Sequence, residues 1–365
     1  MALRRHVEAS EPTQTVGVRC DNFGLSDRSM NSMKAMVVEK PAPIESDPLR
    51  AVEVDVPEPG PGEIRVQVWT CGVCRTDLHV AEGDLPPHAP RIIPGHEVVG
   101  IVDKRGVGVA RFKQGDRVGI AWLRETCGIC VYCGRARENL CPNARFTGYD
   151  RDGGYAEYAV VREDFAYALP DTLGDEELAP LLCAGIIGYR AIKRADVKPG
   201  ATVGLYGFGG SAHLAIQVLR YWGCRVFVMS RGGPHRDLAK DLGAEWIGDA
   251  DDRPPAPLDA AILFAPAGNL VPLALEALDR GGILSIAGIY LSPIPVLDYE
   301  KHLFYEKELR SVTANTRADG QEFLNIASEI GIRTSTVAFG LTEANMALKM
   351  LKHDQIKGAA VLRIS

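Results

Sequence analysis

The sequence predicts a mixed α/β protein that consists of a β-rich domain and a doubly wound α/β domain with a parallel sheet. Residues 33–164 are short apolar or alternating runs that glycine and proline interrupt, which is typical of many short strands. After Pro170, strand-like runs alternate with helix-like segments at a spacing that favours parallel strands joined by crossover helices. The length of 365 residues suits two domains, because one domain usually holds about 100–200 residues.

Individual segments support both halves of this prediction. The first half is expected to contain several strands with alternating or apolar character, among them 34–39, 63–72, 98–103 and 116–122. The second half is expected to begin with a strand over 201–206, after which helices and strands alternate: helix 209–223, strand 224–230, helix 236–243, strand 259–264, helix 270–279 and strand 281–288. The C-terminal residues are expected to add a helix over 341–354 and a strand over 357–364.

Composition and charge exclude several classes of protein. Hydrophobic residues make up 46% and charged residues 24% of the chain, which is ordinary for a globular protein. A formal net charge of -6 argues against a nucleic-acid or membrane partner. The N-terminus lacks the apolar segment of a secretion signal, and no apolar run reaches the roughly 18 residues that span a bilayer, so a cytoplasmic location is expected. Residues 1–32 are polar and aperiodic and are expected to form a disordered leader.

Nine cysteines are distributed unevenly along the chain. An odd total without a secretion signal fits a disulfide framework poorly. Four of them follow the spacing C-x2-C-x2-C-x7-C, namely Cys127, Cys130, Cys133 and Cys141. Four thiolates bind zinc tetrahedrally and leave no vacant position, so this metal would be structural. Incidental buried thiols and a redox dithiol are the alternatives, but a dithiol would need only two of the four.

A catalytic zinc needs three protein ligands and one open position. Candidates outside the cluster are Cys74, His96 and Cys183, but they lie too far apart in the chain for spacing to select them. Taken singly, His96 is more often an ordinary loop histidine and Cys183 an ordinary buried thiol, while Cys71 looks as good a ligand as Cys74. The residues by themselves therefore leave a second metal site open.

A glycine-rich loop follows the strand expected over 201–206. Gly207, Gly209 and Gly210 open a predicted helix, and Ala212 stands where the dinucleotide-binding fingerprint tolerates alanine. Glycines let the backbone approach a pyrophosphate, and the N–H groups at a helix N-terminus point at its charge. A dinucleotide-binding Rossmann fold is therefore expected in the second half of the chain.

These motifs together resemble the zinc-dependent alcohol dehydrogenases of the medium-chain dehydrogenase/reductase superfamily. The segment GHEVVG (95–100), with Gly106 and Val109 after it, follows the zinc signature of that family. Five further segments also match: CGVCRTDLH (71–79), GDRV (115–118), the cysteine loop 127–141, GGYAEY (153–158) and LLCAGIIGYRA (181–191). The resemblance extends from Met33 to Ser365 and leaves only the leader uncovered.

The resemblance implies a GroES-like β-rich catalytic domain at 33–183 and 315–365, with a Rossmann domain at 184–314 inserted into it. It implies an oxidoreductase that interconverts alcohols with aldehydes or ketones by hydride transfer with a nicotinamide cofactor. Two zinc ions per chain are implied, one catalytic and one structural. The family forms homodimers and homotetramers, commonly through edges of the nucleotide-binding sheets, and 281–288 is the kind of strand involved.

The resemblance also implies roles for single residues around the catalytic zinc. Cys74, His96 and Cys183 are implied as its ligands, and Glu97 resembles an acidic neighbour that approaches the metal during ligand exchange. Asp77 would hold the ring of His96 through its other nitrogen and so fix its tautomer.

A proton relay and a cofactor contact are implied in the same segment. Thr76 resembles the relay hydroxyl, and His79 resembles the distal base that passes the proton through the cofactor ribose to solvent. Arg75 resembles the position that contacts the cofactor pyrophosphate. Alternatively, Thr76 would only cap a helix and His79 would only face solvent.

Two positions bear on cofactor and substrate choice. An NAD enzyme usually ends its second strand with an acid that accepts from the ribose 2′-OH, whereas this chain has Ser230 followed by Arg231. A hydroxyl and a guanidinium suit a 2′-phosphate, so NADP(H) is favoured over NAD(H), although Arg231 could simply face solvent. Trp122 and Leu123 stand where the family lines its substrate cleft, and an indole there would favour slim primary alcohols. A place for Trp122 in the strand core is an equal alternative.

Two other functions compete with this hypothesis. A zinc-free reductase on the same fold, such as a quinone reductase, predicts the loss of metal ligands, yet all seven of the proposed zinc ligands are present. A non-enzymatic zinc-binding interaction module is disfavoured by the acidic charge and the complete nucleotide-binding segment. Three cysteines, Cys20, Cys71 and Cys224, have no predicted role.

Overall fold

The structure, a computed structural model, describes residues 31–364 of the chain. The strands of this part are β1 (Ser32–Val38), β2 (Leu49–Asp55), β3 (Glu63–Val73), β4 (Val98–Arg105), β5 (Arg117–Ile120), β6 (Leu123–Glu125), β7 (Arg145–Phe146), β8 (Tyr158–Arg162), β9 (Ala166–Ala168), β10 (Thr202–Tyr206), β11 (Arg225–Met229), β12 (Trp246–Gly248), β13 (Leu258–Leu263), β14 (Leu278–Ile286), β15 (Glu308–Ser311), β16 (Thr336–Gly340) and β17 (Ala359–Arg363). The α-helices are α1 (Arg75–Glu82), α2 (Asp175–Leu178), α3 (Ala184–Arg194), α4 (Gly210–Tyr221), α5 (Gly233–Asp241), α6 (Leu270–Ala277), α7 (Tyr299–His302), α8 (Arg317–Ile330) and α9 (Ala344–Lys352). Most of the predicted leader, including Cys20, lies outside the described residues. Its last residue, Ser32, is described and is the first residue of β1.

The β-rich half is organised around its long strand β3. The sheet has the order β16-β17-β3-β4-β5-β9, and β8 also pairs with β3. Ile64, Val66 and Val68 are fully buried, while the side chains between them are half-buried. This alternation is the one expected for a strand that packs one face against a core. The predicted strand over 63–72 is confirmed, and its last residues run into the buried region where the candidate site lies.

The second sheet consists of parallel strands in the order β12-β11-β10-β13-β14-β15. Alternate side chains of these strands enter two separate apolar cores. Val203 and Val226 pack with α4 on one face, whereas Tyr206 and Phe227 pack with α6 on the other. Helices therefore cover both faces, and the predicted doubly wound parallel sheet is confirmed. Ligands of such sheets bind at the carboxyl ends of the strands, where the strand order reverses, here between β10 and β13.

One detail of the predicted sheet is wrong. The strand over 281–288 was expected to contribute to a sheet edge, but β14 lies inside the sheet, between β13 and β15. The edge is β15, which was not predicted because its four residues are half-buried or exposed and show no apolar run.

The C-terminal residues return to the first sheet. β17 pairs with β3 in antiparallel orientation, with Leu362 opposite Cys71. The parallel sheet is thus formed by residues that lie between two segments of the β-rich half in the sequence. The domain boundaries at 183/184 and 314/315 stay a prediction.

The helix α8, which was not predicted, joins the two sheets. Its N-terminus carries a capping box in which Thr316 accepts from the backbone N–H of Asp319, and it ends at Gly331 with a positive φ of 58°. Its buried Phe323 packs in the core that also contains α4, against Gly185 of α3. None of the helices between residues 31 and 364 has the length and apolar character needed to cross a bilayer.

Candidate active site

Three separate parts of the fold meet at the carboxyl end of β3. Cys74 lies between β3 and α1, His96 lies in the loop before β4, and Cys183 immediately precedes α3. Although Cys74 and Cys183 are 109 residues apart in the chain, their sulfur atoms are 3.8 Å apart. Glu97 lies beside these residues. One ligand atom from each of the four side chains, those of Cys74, His96, Glu97 and Cys183, lies within 4.8 Å of the other three. The fold thus brings together the dispersed candidates that spacing alone could not select.

The chemistry of this donor set fits a zinc ion. Two thiolates held tetrahedrally by zinc at about 2.3 Å would lie about 3.8 Å apart, in agreement with the Cys74–Cys183 separation. His96 is fully buried, and its Nε2 has no hydrogen-bond partner in the described part of the chain. Leaving a buried polar atom without a partner is costly, and coordination of a cation would satisfy it.

Asp77 organises the residues around this donor set. Its buried carboxylate accepts from Nδ1 of His96 at 3.0 Å and from the backbone N–H groups of Gly95 at 3.1 Å and Cys74 at 2.9 Å. The hydroxyl of Tyr155 donates to the same carboxylate at 3.3 Å. Asp77 therefore fixes the ring of His96 with Nε2 pointing into the donor set. Tyr155 was missed as a site residue, although it lies in the GGYAEY motif.

Glu97 is held against the end of β3 by the shape of the backbone. The N–H of Gly72 donates to the carbonyl oxygen of Glu97 at 2.9 Å, and a Cβ at Gly72 would overlap the Glu97 carboxylate. This close approach explains the glycine between Cys71 and Cys74 in the sequence. Burial raises the pKa of the Glu97 carboxyl well above its usual range. A cation among the donor atoms would offset that burial.

The two cysteines of the donor set have unequal acidity. A hydrogen bond from the Cys183 thiol holds the pKa of Cys74 well below its usual range, and the same contact raises the pKa of Cys183. The two thiols therefore differ in acidity, and a cation between their sulfur atoms would favour the thiolate form of both.

Cys71 and Cys224 are core thiols. Cys71 is fully buried, and a Cβ at Gly154 would lie 3.0 Å from its Sγ, so the glycine makes room for the sulfur. Its Sγ is not one of the clustered ligand atoms, which separates it from Cys74. Cys224 is also fully buried, and its thiol contacts the carbonyl oxygen of Lys198 at 3.6 Å.

The predicted compact cluster forms a second donor set. Sulfur separations are 3.5 Å for Cys130–Cys133, 3.5 Å for Cys127–Cys141 and 4.0 Å for Cys127–Cys133, close to the about 3.8 Å of a tetrahedral zinc–thiolate site. Backbone N–H groups of Ile129 and Cys130 lower the pKa of Cys127 to about 6, which favours its thiolate. The four sulfurs fit a closed zinc site without an open position.

The candidate relay residues lie on α1. Thr76 is buried with its hydroxyl 3.8 Å from Sγ of Cys74, so it faces the donor set. His79 lies one turn further, and its Nδ1 is 2.8 Å from Asp84. Gly83 ends α1 in the left-handed conformation, with a φ of 84°, and this turn places Asp84 next to His79. Thr76 thus points inward, while His79 lies on the partly exposed part of the helix.

The glycine loop leaves space for a pyrophosphate. Gly207 has a φ of 88°, and a Cβ there would lie 2.9 Å from the backbone nitrogen of Ala265. Gly209 caps the N-terminus of α4, and apart from its chain neighbours no atom of residues 31–364 lies within 4 Å of where its Cβ would be. Beside Gly210 the nearest atom is the Cβ of Ala184 at 3.9 Å. An open helix N-terminus after a buried strand fits a dinucleotide.

Ser230 and Arg231, rather than an acidic residue, directly follow β11. Ser230 is buried, and its carbonyl oxygen accepts from Nε of Arg236, a guanidinium that sequence reasoning missed. Arg236 also pairs with Asp249 at 2.5 Å. Arg231 is exposed. Arg75, for which a contact with the cofactor pyrophosphate was predicted, lies at the start of α1 and pairs with Asp354.

Trp122 belongs to the site rather than to the interior of a strand. It lies between β5 and β6, with its indole edge-on to the ring of His96 at a centroid distance of 5.0 Å. The ring of Phe146 stacks on the indole at a centroid distance of 4.8 Å. Leu123, the first residue of β6, is buried in the core of the β-rich half.

Comparisons with known proteins agree with this arrangement. The family described as "Alcohol dehydrogenase GroES-like domain" matches residues 60–171. The chain is 56% identical over 345 residues to "Probable alcohol dehydrogenase AdhA" of Mycobacterium tuberculosis (strain CDC 1551 / Oshkosh), covering 93% of this chain and 100% of that protein. It is 37% identical to an alcohol dehydrogenase of Geobacillus stearothermophilus, covering 91% and 100%. A cobalt- and zinc-bound thermostable alcohol dehydrogenase from Pyrobaculum aerophilum superposes with a TM-score of 0.83 at 27% identity, covering 91% and 100%.

Neither a zinc-free reductase nor a non-enzymatic zinc module is favoured by these relatives. The similarity covers the complete length of the two curated relatives and includes both halves of this chain. The chain therefore belongs to the alcohol dehydrogenases of the medium-chain dehydrogenase/reductase superfamily, with a GroES-like and a Rossmann-like half, and it interconverts alcohols with aldehydes or ketones.

Proposed function

We propose that this chain is a zinc-dependent alcohol dehydrogenase with two zinc ions, that it prefers NADP(H), and that it acts on slim primary alcohols or their aldehydes. The observation that supports zinc dependence best is the convergence of Cys74, His96 and Cys183 from three parts of the fold, with the buried Nε2 of His96 otherwise unpartnered. In this proposal those three residues would bind the catalytic zinc, and Glu97 would approach it during ligand exchange.

The residues of the chain would bind and orient the metal ion and the substrate. When bound, zinc would supply Lewis acidity that lowers the pKa of a substrate alcohol. Asp77 keeps His96 in the tautomer that binds a metal, because Nδ1–H is committed to the carboxylate. Thr76, whose hydroxyl is buried beside Cys74, would accept the proton of the alcohol while it donates its own hydroxyl proton to the next group of the relay. His79, whose Nδ1 is 2.8 Å from Asp84, would be the distal base that releases the proton to solvent. Trp122 narrows the cleft beside His96, which favours slim substrates.

The cofactor lies in this proposal across the carboxyl ends of β10 and β11. Gly207, Gly209 and Gly210 bind its pyrophosphate, together with Arg75. Ser230 and Arg231 bind the 2′-phosphate of NADP(H), and Arg236, which pairs with Asp249, donates to the carbonyl oxygen of Ser230. The absence of an acid at position 230 removes the repulsion that would reject the 2′-phosphate.

The compact cluster of Cys127, Cys130, Cys133 and Cys141 binds the second, structural zinc in this proposal. Both zinc sites need reduced cysteines, which supports a reducing compartment such as the cytoplasm. We also propose a homodimer or homotetramer that forms through the edge strand β15. Exposed apolar side chains in β15 and in the segment that precedes it support this proposal, namely Val296, Tyr299, Phe304, Tyr305 and Leu309.

Two measurements test this proposal. Metal analysis of the purified protein should give about two zinc ions per chain, and a zinc-free active enzyme would refute the assignment. Initial rates with both cofactors at saturating substrate should give a higher kcat/KM for NADP(H). Ser230→Asp should reverse that preference by about tenfold, because a carboxylate repels the 2′-phosphate and accepts from a free 2′-OH. An unchanged ratio would show that cofactor choice is determined elsewhere.

A further inference from the structure

An ion pair joins the candidate cofactor-binding residue Arg75 to Asp354. Nη2 of Arg75 lies 2.5 Å from Oδ1 of Asp354. The two side chains are 48% and 72% exposed, so neither is buried by the contact. Within residues 31–364, neither of the two makes a second ion pair. The guanidinium that is proposed to bind the pyrophosphate is thus already bound to a carboxylate.

The backbone brings Asp354 to this position. Arg75 is the first residue of α1, directly after Cys74. Asp354 follows the end of α9 in the left-handed conformation, with a φ of 54°, which an aspartate tolerates better than most residues. Its N–H donates to the carbonyl oxygen of Leu351 at 3.3 Å. The turn after α9 therefore directs the carboxylate toward the first turn of α1.

Other contacts already hold α9 in place, so the Arg75–Asp354 pair is not needed for that purpose. Lys352 of α9 pairs with Glu82 at 2.9 Å and with Glu45 at 3.0 Å. Asn345 exchanges two hydrogen bonds with the backbone of Leu49, at 3.1 and 2.8 Å. The carboxylate of Asp354 can therefore move away from Arg75 while α9 stays in its position.

We infer that Asp354 competes with the cofactor pyrophosphate for the guanidinium of Arg75. A guanidinium binds carboxylate and phosphate oxygens with the same set of donors, so both anions cannot use the same Nη2 fully at once. Binding of the cofactor must displace Asp354, and return of Asp354 to Arg75 assists cofactor release. This inference rests on the proposed role of Arg75.

The expected size of the effect follows from the exposure of the pair. Exposed ion pairs are weak, and a protein whose binding-competent form is only partly populated shows an affinity reduced by that fraction. Removing the carboxylate should therefore tighten cofactor binding about two- to fivefold. The gain should be largest at low ionic strength and shrink at high salt, because both interactions of Arg75 are screened.

Calorimetric titration of the holoenzyme with NADPH and with NADH, without substrate, tests the inference. Asp354→Asn should lower Kd about two- to fivefold at low salt. Asp47→Asn is the matched control, since it removes an exposed carboxylate that pairs with Lys349 of the same helix at 2.7 Å. Asp47→Asn should leave Kd unchanged. An equal gain in both variants would mean that net charge alone acts, and the inference would fail.

The variant Arg75→Gln separates this inference from the proposed function. It should weaken cofactor binding, and in its background Asp354→Asn should have no effect on Kd. If Arg75→Gln leaves Kd unchanged, the proposed role of Arg75 is wrong and the inference fails with it. If Arg75→Gln weakens binding but Asp354→Asn alone changes nothing, only the competition by Asp354 is refuted. Thermal melts of every variant check that the fold is intact.

Discussion

The two cysteine-containing donor sets are built in opposite ways. In the compact set, Cys127, Cys130, Cys133 and Cys141 belong to one loop, and three of the four are half-exposed. In the dispersed set, Cys74 and Cys183 are 109 residues apart and meet with His96 and Glu97, which are buried.

This difference separates a local structure from a product of the whole fold. The compact set needs only its own turns, such as the one at Gly128 with a φ of 73°, and it holds sulfur alone. The dispersed set needs β3, the loop before β4 and the start of α3 in their final places. It also places a hydroxyl beside Cys74, an indole beside His96 and the Glu97 carboxylate among the ligand atoms. We therefore expect the compact set to act on stability and the dispersed set on chemistry.

The largest effect is expected from Cys183→Ala in the dispersed set. Loss of a ligand should remove the catalytic zinc and lower kcat/KM by about a thousandfold or more, because Lewis-acid stabilisation is worth several kcal/mol and about 1.4 kcal/mol is tenfold in rate. The protein should stay folded and keep about one zinc per chain. Metal analysis and initial rates measure both. Undiminished activity would show that Cys183 is not a ligand.

The matched change in the compact set is Cys130→Ser. It should remove the other zinc and lower the Tm by about 5–10 °C, since about 1 kcal/mol shifts the Tm of domains of about 150–250 residues by about 2–4 °C. The kcat of the fraction that stays folded should change much less than in Cys183→Ala. Thermal melts and rates at a temperature well below the transition test this. A thousandfold loss of kcat without a loss of stability would reverse the roles of the two sets.

A smaller effect is expected from Asp77→Asn. Asparagine replaces the charged carboxylate with a neutral amide. It therefore accepts weaker hydrogen bonds from Nδ1–H of His96 and from the N–H groups of Gly95 and Cys74. Changes of this kind typically lower metal affinity or activity about 10–100-fold. Competition with a chelator measures zinc affinity, and the compact cluster should retain its zinc throughout. A variant with unaltered zinc affinity would contradict the role given to Asp77.

The same contrast explains what the sequence could predict. The compact cluster follows from spacing alone, because four thiolates in one loop need no knowledge of the fold. The dispersed ligands required resemblance to a family, since nothing local to His96 or Cys183 separates a ligand from a core residue. The strands β3 and β10 were predictable from their apolar patterns, whereas the polar edge strand β15 was not. Contacts such as Arg75–Asp354 join residues 279 positions apart and follow only from the packed structure.

Tyr155→Phe is the smallest change and the sharpest test of how deep the dispersed set extends. The hydroxyl of Tyr155 donates to Asp77 at 3.3 Å, so we expect it to act on the donor set through Asp77. A hydrogen bond of this kind contributes about 0.5–1.5 kcal/mol, so zinc affinity should fall about two- to tenfold, less than in Asp77→Asn. Tyr167→Phe is a suitable control, because that buried hydroxyl bonds Asn315 instead, at 3.4 Å. If both variants lose stability alike but only Tyr155→Phe weakens zinc binding, the dispersed site includes the loop around Tyr155. If the two variants bind zinc with equal affinity, the dispersed site comprises only Asp77 and the ligands.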